Sequence, residues 1–141
     1  MSVHVTPVSA TMPSERLGPL VAESAAAGSR FVRRLADEWA DNRNRFDRPG
    51  EVLFIAMMEG QVIGVCGLNI DPYTRATRVG RVRHLYVLSA HRRLSVGRRL
   101  VKEVVAAARD PFDTLRLRTQ NPAAARLYRS EERRVGKECR L

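Results

Sequence analysis

Four stretches of the chain have the pattern of apolar positions that is typical of β-strands. In chain order they are Val3–Val8, Val52–Met58, Gln61–Ile70 and Val79–Leu88. Glu59-Gly60 predicts a tight hairpin turn between the second and third stretches, and Asp71–Thr77 predicts a loop before the fourth. In the fourth stretch, alternation places one set of residues on one side: Val79, Arg81, Arg83, Leu85 and Val87. The last three stretches therefore predict an antiparallel meander.

Three further stretches have helical spacing of their apolar residues. The first is alanine-rich and covers 13–27, with a break or kink expected at Gly18-Pro19. The second covers 29–42, with Ser29 as its N-cap. The third runs from about Ser95 to Arg109, and its apolar residues form one stripe: Val96, Leu100, Val101, Val104, Val105 and Ala108.

A short strand is predicted over Thr114–Arg118, followed by a final helix that starts at Asn121-Pro122. A strand, a helix of this length and a second strand predict a parallel pair with a right-handed connection. Because strands and helices follow one another in this way, we expect a single α/β domain.

Composition narrows the class of protein. The 141 residues suit one domain, and no apolar run approaches the roughly 18 residues that would span a membrane. The N-terminus does not resemble a secretory signal, so a cytoplasmic location is expected. The two cysteines and three histidines have no metal-ligand spacing, so no metal is expected. The net charge of +10 predicts an anionic partner: nucleic acid, a phosphorylated cofactor or an acidic substrate.

The stretch Leu85–Val101 joins the end of a strand to the start of a helix through a basic turn. Such a turn directs backbone N–H groups and the positive end of the helix toward one place. Arg92, Arg93 and Arg98 add charge suited to phosphate oxygens. No Gly-Lys-Ser/Thr follows and the dinucleotide glycine triplet is missing, so a Walker loop and a dinucleotide fingerprint are excluded.

This turn contains the hexapeptide Arg92-Arg93-Leu94-Ser95-Val96-Gly97. It resembles the acyl-CoA motif Gln/Arg-x-x-Gly-x-Gly/Ala of the GNAT superfamily of N-acetyltransferases. Ser95 replaces the first glycine of that motif, which restricts access to phosphate if the turn requires a positive φ. Downstream, 115–128 resembles the fifth strand of the family, its Asn-x-x-Ala helix start and its helix-borne tyrosine.

The resemblance covers residues 1–128 and implies the GNAT acyl-CoA N-acyltransferase fold. This is an α/β fold with a mixed, mostly antiparallel sheet flanked by helices, split where the fourth and fifth strands diverge. It implies direct transfer from acetyl-CoA, as co-substrate, to a primary amine of a small molecule or protein, without a metal.

The resemblance also implies roles for individual residues. The backbone of Leu85, Tyr86 and Val87 would bind the pantetheine arm and the thioester carbonyl. The pyrophosphate would be held by Arg92, Arg93, Leu94, Ser95, Val96, Gly97 and Arg98. Asn121 would contact the cofactor, and Tyr128 would be the general acid.

A general base is not evident, because Arg81 and Arg116 stand where many family members have a carboxylate. An alkylammonium titrates near 10.4 and must lose a proton before it attacks. We expect deprotonation through water, with His84 as the titratable candidate on the fourth strand.

Two other functions remain open from the residues. A basic nucleic-acid-binding module could use the same arginines, although the chain lacks interleaved aromatic residues and a recognition motif. A CoA-binding fold without catalysis is the other alternative.

Residues 129–141 depart from the family pattern, in which Gly-Phe and two further strands follow. Their apolar residues are Val135, Cys139 and Leu141, so the composition predicts an exposed charged tail. Residues 129–140 are also similar to the conceptual translation of a short-read sequencing adapter. We therefore expect a GNAT domain over 1–128 that lacks its C-terminal strands, followed by a non-native or disordered segment. The strand Thr114–Arg118 would then be left with an exposed edge.

Overall fold

The computed structural model describes residues 2–72, 78–117, 125–127, 129 and 138–140. Its strands are β1 (His4–Pro7), β2 (Val52–Met58), β3 (Gln61–Ile70), β4 (Val79–Val87), β5 (Thr114–Leu117) and β6 (Glu138–Arg140). Its α-helices are α1 (Gly18–Ala26), α2 (Phe31–Ala40) and α3 (Val96–Ala108). Two 3-10 helices, Ser14–Leu17 and Ser89–Leu94, precede α1 and α3. No helix within these described ranges is long and apolar enough to cross a bilayer.

The strands form one sheet in the order β1-β2-β3-β4-β5-β6. Strands β1 to β4 pair antiparallel, and β5 pairs parallel with β4, as the strand-helix-strand order predicts. Glu59 and Gly60 have φ of 52° and 79°, the two positive values that a type I′ hairpin turn requires. The predicted mixed, mostly antiparallel α/β fold is confirmed. Most of the predicted loop after β3 lies outside the described residues.

Strand β6 is an element that the sequence pattern does not predict. Residues 138–140 pair parallel with 114–116 of β5. The edge of β5 therefore has a neighbour over three residues. The two-part division of the chain at residue 128 stays a prediction.

The helices that precede β2 begin at different residues from those predicted. The break expected at Gly18-Pro19 is confirmed: the 3-10 helix ends at Leu17 and α1 begins at Gly18. Pro19 lies in the first turn of α1, because the missing N–H of proline needs no partner there. The prediction that Ser29 caps the second helix is wrong: α2 has Arg30 at its N-cap, without a side-chain cap. The Ser29 amide instead donates to the Ser24 carbonyl, 2.9 Å away, and belongs to the turn that closes α1.

The two faces of the sheet are covered by different helices. The predicted apolar stripe of α3 is fully buried against one face. A Cβ placed on Gly64 would lie 3.0 Å from Leu100 of this helix, so α3 sits close to the backbone of β3. On the other face, a Cβ on Gly67 would lie 2.5 Å from the ring of Phe46. Gly64 and Gly67 thus mark the α3 face and the α2 face of the sheet.

A β-bulge interrupts the pairing of β4 with β3. Val65 pairs with Tyr86 and Gly67 pairs with Arg83, so Cys66 faces two residues, His84 and Leu85. His84 has φ of 62°, a value rare for a non-glycine residue. The simple alternation predicted for this strand is therefore wrong beyond Arg83. The extra residue lets Arg83 and His84 both project on the α2 face, and it shifts Val87 to the α3 face, beside Gly64.

Candidate active site

Strand β4 extends beyond its pairing with β5. The parallel ladder runs from Val79 opposite Thr114 to Val82 opposite Leu117, whereas β4 continues to Val87. Within the described part of the chain, the last residues of β4 pair with β3 only. Peptide groups on the open side of such a strand can bind an extended ligand in the way that an added strand pairs with an edge. Leu85, Tyr86 and Val87 lie in this part of β4, beyond the described pairing with β5, where the sequence predicts pantetheine binding.

The chain leaves β4 through the 3-10 helix Ser89–Leu94 and enters α3 at Val96. Between them Ser95 adopts a left-handed conformation, with φ of 59° and ψ of 22°. The Arg99 amide donates to the Ser95 carbonyl at 3.1 Å, so the amides of Val96, Gly97 and Arg98 belong to the first turn, which has no intrahelical acceptors. The turn thus has a positive φ at the position where the family motif has glycine, which is the condition under which Ser95 is expected to restrict access to phosphate.

The Arg92 side chain is held over the end of β4. Its Nε donates to the Val87 carbonyl at 2.9 Å, and its guanidinium carbon lies 5.4 Å from the centre of the Tyr86 ring. Its Nη2 is 3.7 Å from a carboxylate oxygen of Glu23. The Arg92 guanidinium therefore already interacts with the Val87 carbonyl, the Tyr86 ring and the Glu23 carboxylate. Arg93 and Leu94 lie in the 3-10 helix, and their side chains are outside the described residues.

Glu23 of α1 is a site residue that the sequence analysis missed. Its Oε1 accepts hydrogen bonds from the Tyr86 hydroxyl and from the Ser89 amide, both at 2.8 Å. The bond from Tyr86 is the largest cause that lowers the pKa of Glu23 below 4.5; partial burial opposes it. Glu23 thus ties α1 to the end of β4 and to the turn. The sequence feature that could have indicated Glu23 is that it is the single charged residue of α1.

His84 is buried between aromatic rings on the α2 face. Its ring stacks on Phe31 at a centroid distance of 6.1 Å and meets the edge of Phe46 at 6.4 Å. Within the described part of the chain, neither ring nitrogen has a partner in hydrogen-bond geometry. Burial lowers the pKa of His84 to about 3, with further lowering by Arg83 and Arg81; the nearby Phe31 backbone acts in the opposite direction. The imidazole is neutral at pH 7, and it is too weak a base to hold the proton of an alkylammonium.

The profile of a family described as the acetyltransferase (GNAT) family matches residues 21–131. The chain belongs to this family. It is thus a GNAT-type N-acetyltransferase, as its motifs predict.

Solved structures share the fold of this acetyltransferase. A protein from Exiguobacterium sp. 255-15, assigned as an acetyltransferase, has 27% identity and a TM-score of 0.77, with 86% of this chain and 79% of that chain covered. The ribosomal-protein-alanine N-acetyltransferase from Brucella melitensis biovar Abortus 2308 has 20% identity and a TM-score of 0.66, covering 92% and 89%. Glucosamine-6-phosphate N-acetyltransferase from Arabidopsis thaliana has 13% identity and a TM-score of 0.64, covering 93% and 90%. The last two show the fold alone.

In this acetyltransferase, arginines occupy the α2 face near the end of the described pairing between β4 and β5. Arg81 and Arg116 are register partners across the two strands. The Nη1 of Arg116 donates to Oδ2 of Asp71 at 3.1 Å, and the Asp71 side chain is 2% exposed. The carboxylate at this end of the sheet is thus held in an ion pair.

Asn121 and Tyr128 lie outside the described residues, so their predicted roles stay predictions. Residues 125–127 are helical, within the predicted final helix. A Cβ on Gly97 would lie 3.4 Å from Cδ2 of Leu127, so this segment passes beside the start of α3.

Proposed function

We propose that this protein transfers an acetyl group from acetyl-CoA to a primary amine by direct attack. The observation that carries the proposal is the continuity of two binding elements. The open end of β4, which can pair with an extended arm, leads within a few residues to the first turn of α3, which presents amides to an anion. A thioester on a pantetheine arm with a pyrophosphate at its far end has matching chemistry.

One set of residues binds the pantetheine arm, and a second set binds the phosphates. The backbone of Leu85, Tyr86 and Val87 binds the arm, and a β4 amide donates to the thioester oxygen, where negative charge develops. The turn from Arg92 to Arg98 binds the pyrophosphate, mainly through the amides of Val96, Gly97 and Arg98. The Arg92 guanidinium contributes less, because it already contacts Val87 and Glu23.

The reaction balances without a covalent enzyme intermediate. The amine nitrogen, after losing one proton to water, uses its lone pair to form a C–N bond to the thioester carbonyl carbon. The C–S bond then breaks, the nitrogen loses a second proton, and the departing sulfur gains one. On the family pattern Tyr128 donates that proton, and Asn121 contacts the cofactor. A general acid of this kind acts in the transition state.

Calorimetry with CoA and with dephospho-CoA, followed by an assay of thiol release with simple amines, tests the proposal. Gly97→Glu places a carboxylate in the first turn of α3. Two negative charges about 5 Å apart near a protein surface repel by about 3 kcal/mol, so CoA affinity should fall at least about 100-fold.

Gly97→Ala is the matched control. Its added Cβ meets Leu127 Cδ2 at 3.4 Å, an ordinary contact, so CoA affinity should change little. Retained CoA affinity in a folded Gly97→Glu variant would show that the phosphates bind elsewhere. Absence of CoA binding, together with tight salt-dependent binding to DNA, would favour the nucleic-acid function instead.

A further inference from the structure

Three arginines of the sheet form a cluster on the α2 face, close to the point where β4 leaves β5. Arg81 is the register partner of Arg116 on β5 and of Asn69 on β3. Arg83, two residues along β4, places Nη1 3.5 Å from Oδ1 of Asn69. Register partners share a face of a sheet, as do residues two apart on a strand. We call Arg81, Arg83 and Arg116 the arginine cluster.

The arginine cluster lies on the side of the sheet away from α3. Arg83 pairs with Gly67, whose Cβ position meets Phe46, whereas the Cβ position of Gly64 meets Leu100 of α3. Arg34 of α2 is exposed on this side, and its charge also acts on His84. The cluster therefore lies on the α2 side of the sheet, opposite the helix that begins at the phosphate-binding turn.

His84 is an independent sign that this face receives a ligand. It follows Arg83 directly, it is 8% exposed, and neither of its ring nitrogens has a hydrogen-bond partner among the residues that the structure describes. Buried polar side chains are normally paired, so an unpaired one calls for a ligand or water. A neutral imidazole offers one donor and one acceptor to such a ligand.

The charged groups that act on His84 are positive. Besides burial, Arg83, Arg81 and Arg34 among the described residues each lower its pKa. Two carboxylates, those of Asp71 and Glu51, lie at the end of β3. Asp71 accepts from Arg116, and Oε2 of Glu51 accepts from Asn69 at 3.0 Å and from the Ile70 amide at 2.9 Å. Both carboxylates are thus engaged at the end of β3, and Arg83 lies next to the part of β4 that is beyond the described pairing with β5.

We propose that the acceptor is a small primary amine that also carries a carboxylate or a phosphate, and that the arginine cluster binds this oxyanion. The inference rests on the proposed function, because it places the acceptor beside the transfer site on β4. Strand geometry puts Arg83 about 7 Å and Arg81 about 13 Å along β4 from Leu85. An oxyanion a few bonds from the amine can reach the cluster while the amine lies near Leu85. Guanidinium groups suit it because they donate two parallel hydrogen bonds to such groups.

The same charges assist loss of the ammonium proton. A positive potential disfavours the charged form of an amine and lowers its pKa. The proton leaves to water, and the neutral amine is held by its oxyanion. This explains how acetyl transfer proceeds with arginines at positions where a carboxylate base is common in the family.

Matched pairs of amines test the proposal with the full chain and acetyl-CoA. The pairs are 3-aminopropanoate with 3-aminopropanamide, and 2-aminoethyl phosphate with 2-aminoethanol. The anionic member should have the higher kcat/KM, by about 10- to 100-fold, as expected for charge-assisted hydrogen bonds. Comparison of the two anionic amines tells carboxylate from phosphate. A lysine-rich peptide should be a poor acceptor.

Variants locate the effect. Arg83→Gln should remove at least about fivefold of the preference for the anionic amine, and CoA affinity should stay within about twofold. Retained CoA affinity also shows that the variant is folded. If Arg83→Gln does not fold, Arg81→Gln takes its place in the experiment. Lys102→Gln removes one positive charge from the exposed side of α3 and should leave the preference unchanged.

Equal or better use of the uncharged amines or of the lysine-rich peptide, with CoA binding intact, would overturn the inference. If CoA binds but no amine is acetylated, the binding of 2-aminoethyl phosphate and of 2-aminoethanol to the CoA complex is measured by calorimetry. Tighter binding of 2-aminoethyl phosphate supports the inference. Equal binding of the two amines, or no binding of either, overturns the inference. If neither CoA binding nor acetylation is seen, the proposed function itself fails and the inference fails with it.

Discussion

Replacement of Ser95 by glycine should stabilise this protein, although the substitution removes atoms. Ser95 has φ of 59° between the 3-10 helix and α3, and within the described residues its hydroxyl makes no capping hydrogen bond. A residue with a Cβ in the left-handed region costs about 1 to 2 kcal/mol. Glycine escapes this cost but loses about 0.4 to 1 kcal/mol through the greater freedom of the unfolded chain. We therefore expect Ser95→Gly to raise the free energy of unfolding by about 0.7 kcal/mol.

Urea denaturation and thermal unfolding measure this change. At about 2.1 cal/mol/K per residue, the entropy of unfolding of a chain of this length is about 0.3 kcal/mol/K, so Tm should rise by about 2 °C. Ala90→Gly is the control, since Ala90 is exposed in the adjacent 3-10 helix and has no positive φ. It should lower the free energy of unfolding by about 0.5 to 1 kcal/mol, because only the unfolded-chain term applies.

The two variants should thus shift stability in opposite directions. Ser95→Ala retains the Cβ and should give no gain. If Ser95→Gly destabilises the protein as much as Ala90→Gly does, Ser95 is not strained, and the left-handed conformation at this turn does not explain why the family motif prefers glycine.

Two further predictions concern packing and pH. Gly67→Ala should cost about 1 to 3 kcal/mol in urea denaturation, because its Cβ would lie 2.5 Å from the buried Phe46 ring. Gly18→Ala, with no atom within 4 Å, is the control, and a loss below about 0.5 kcal/mol at Gly67 would contradict the expected clash. Glu23→Gln should destabilise the protein most at neutral pH: the pKa of Glu23 is lowered, so its contribution is present above the ordinary value of 4.5 and is lost as pH falls through the folded-state pKa. Denaturation at pH 7, 5 and 3 checks this, and a deficit independent of pH would assign the effect to shape instead of charge.

Much of the fold is predictable from short-range pattern. The bounds of β2 and β3, the hairpin at Glu59-Gly60 and the buried stripe of α3 follow from alternation, helical spacing and turn chemistry. Each of these is a property of neighbouring residues in one segment. The basic turn before α3 is also predictable from one segment, because the strand end, the helix start and the arginines between them are contiguous in the chain. The family resemblance rests on the same contiguous residues.

The contacts that shape the site depend on pairs of distant segments, and only the tertiary structure decided them. The bulge at His84 and Leu85 is a mismatch between two strands, so the alternation of β4 alone does not reveal it. Glu23 meets the Tyr86 hydroxyl across 63 positions of the chain, and Arg116 meets Asp71 across 45. Periodicity tells which side of a segment is buried. It does not tell which charged or aromatic groups of other segments meet that side, and those groups are what leave His84 neutral and gather the arginine cluster on the α2 face.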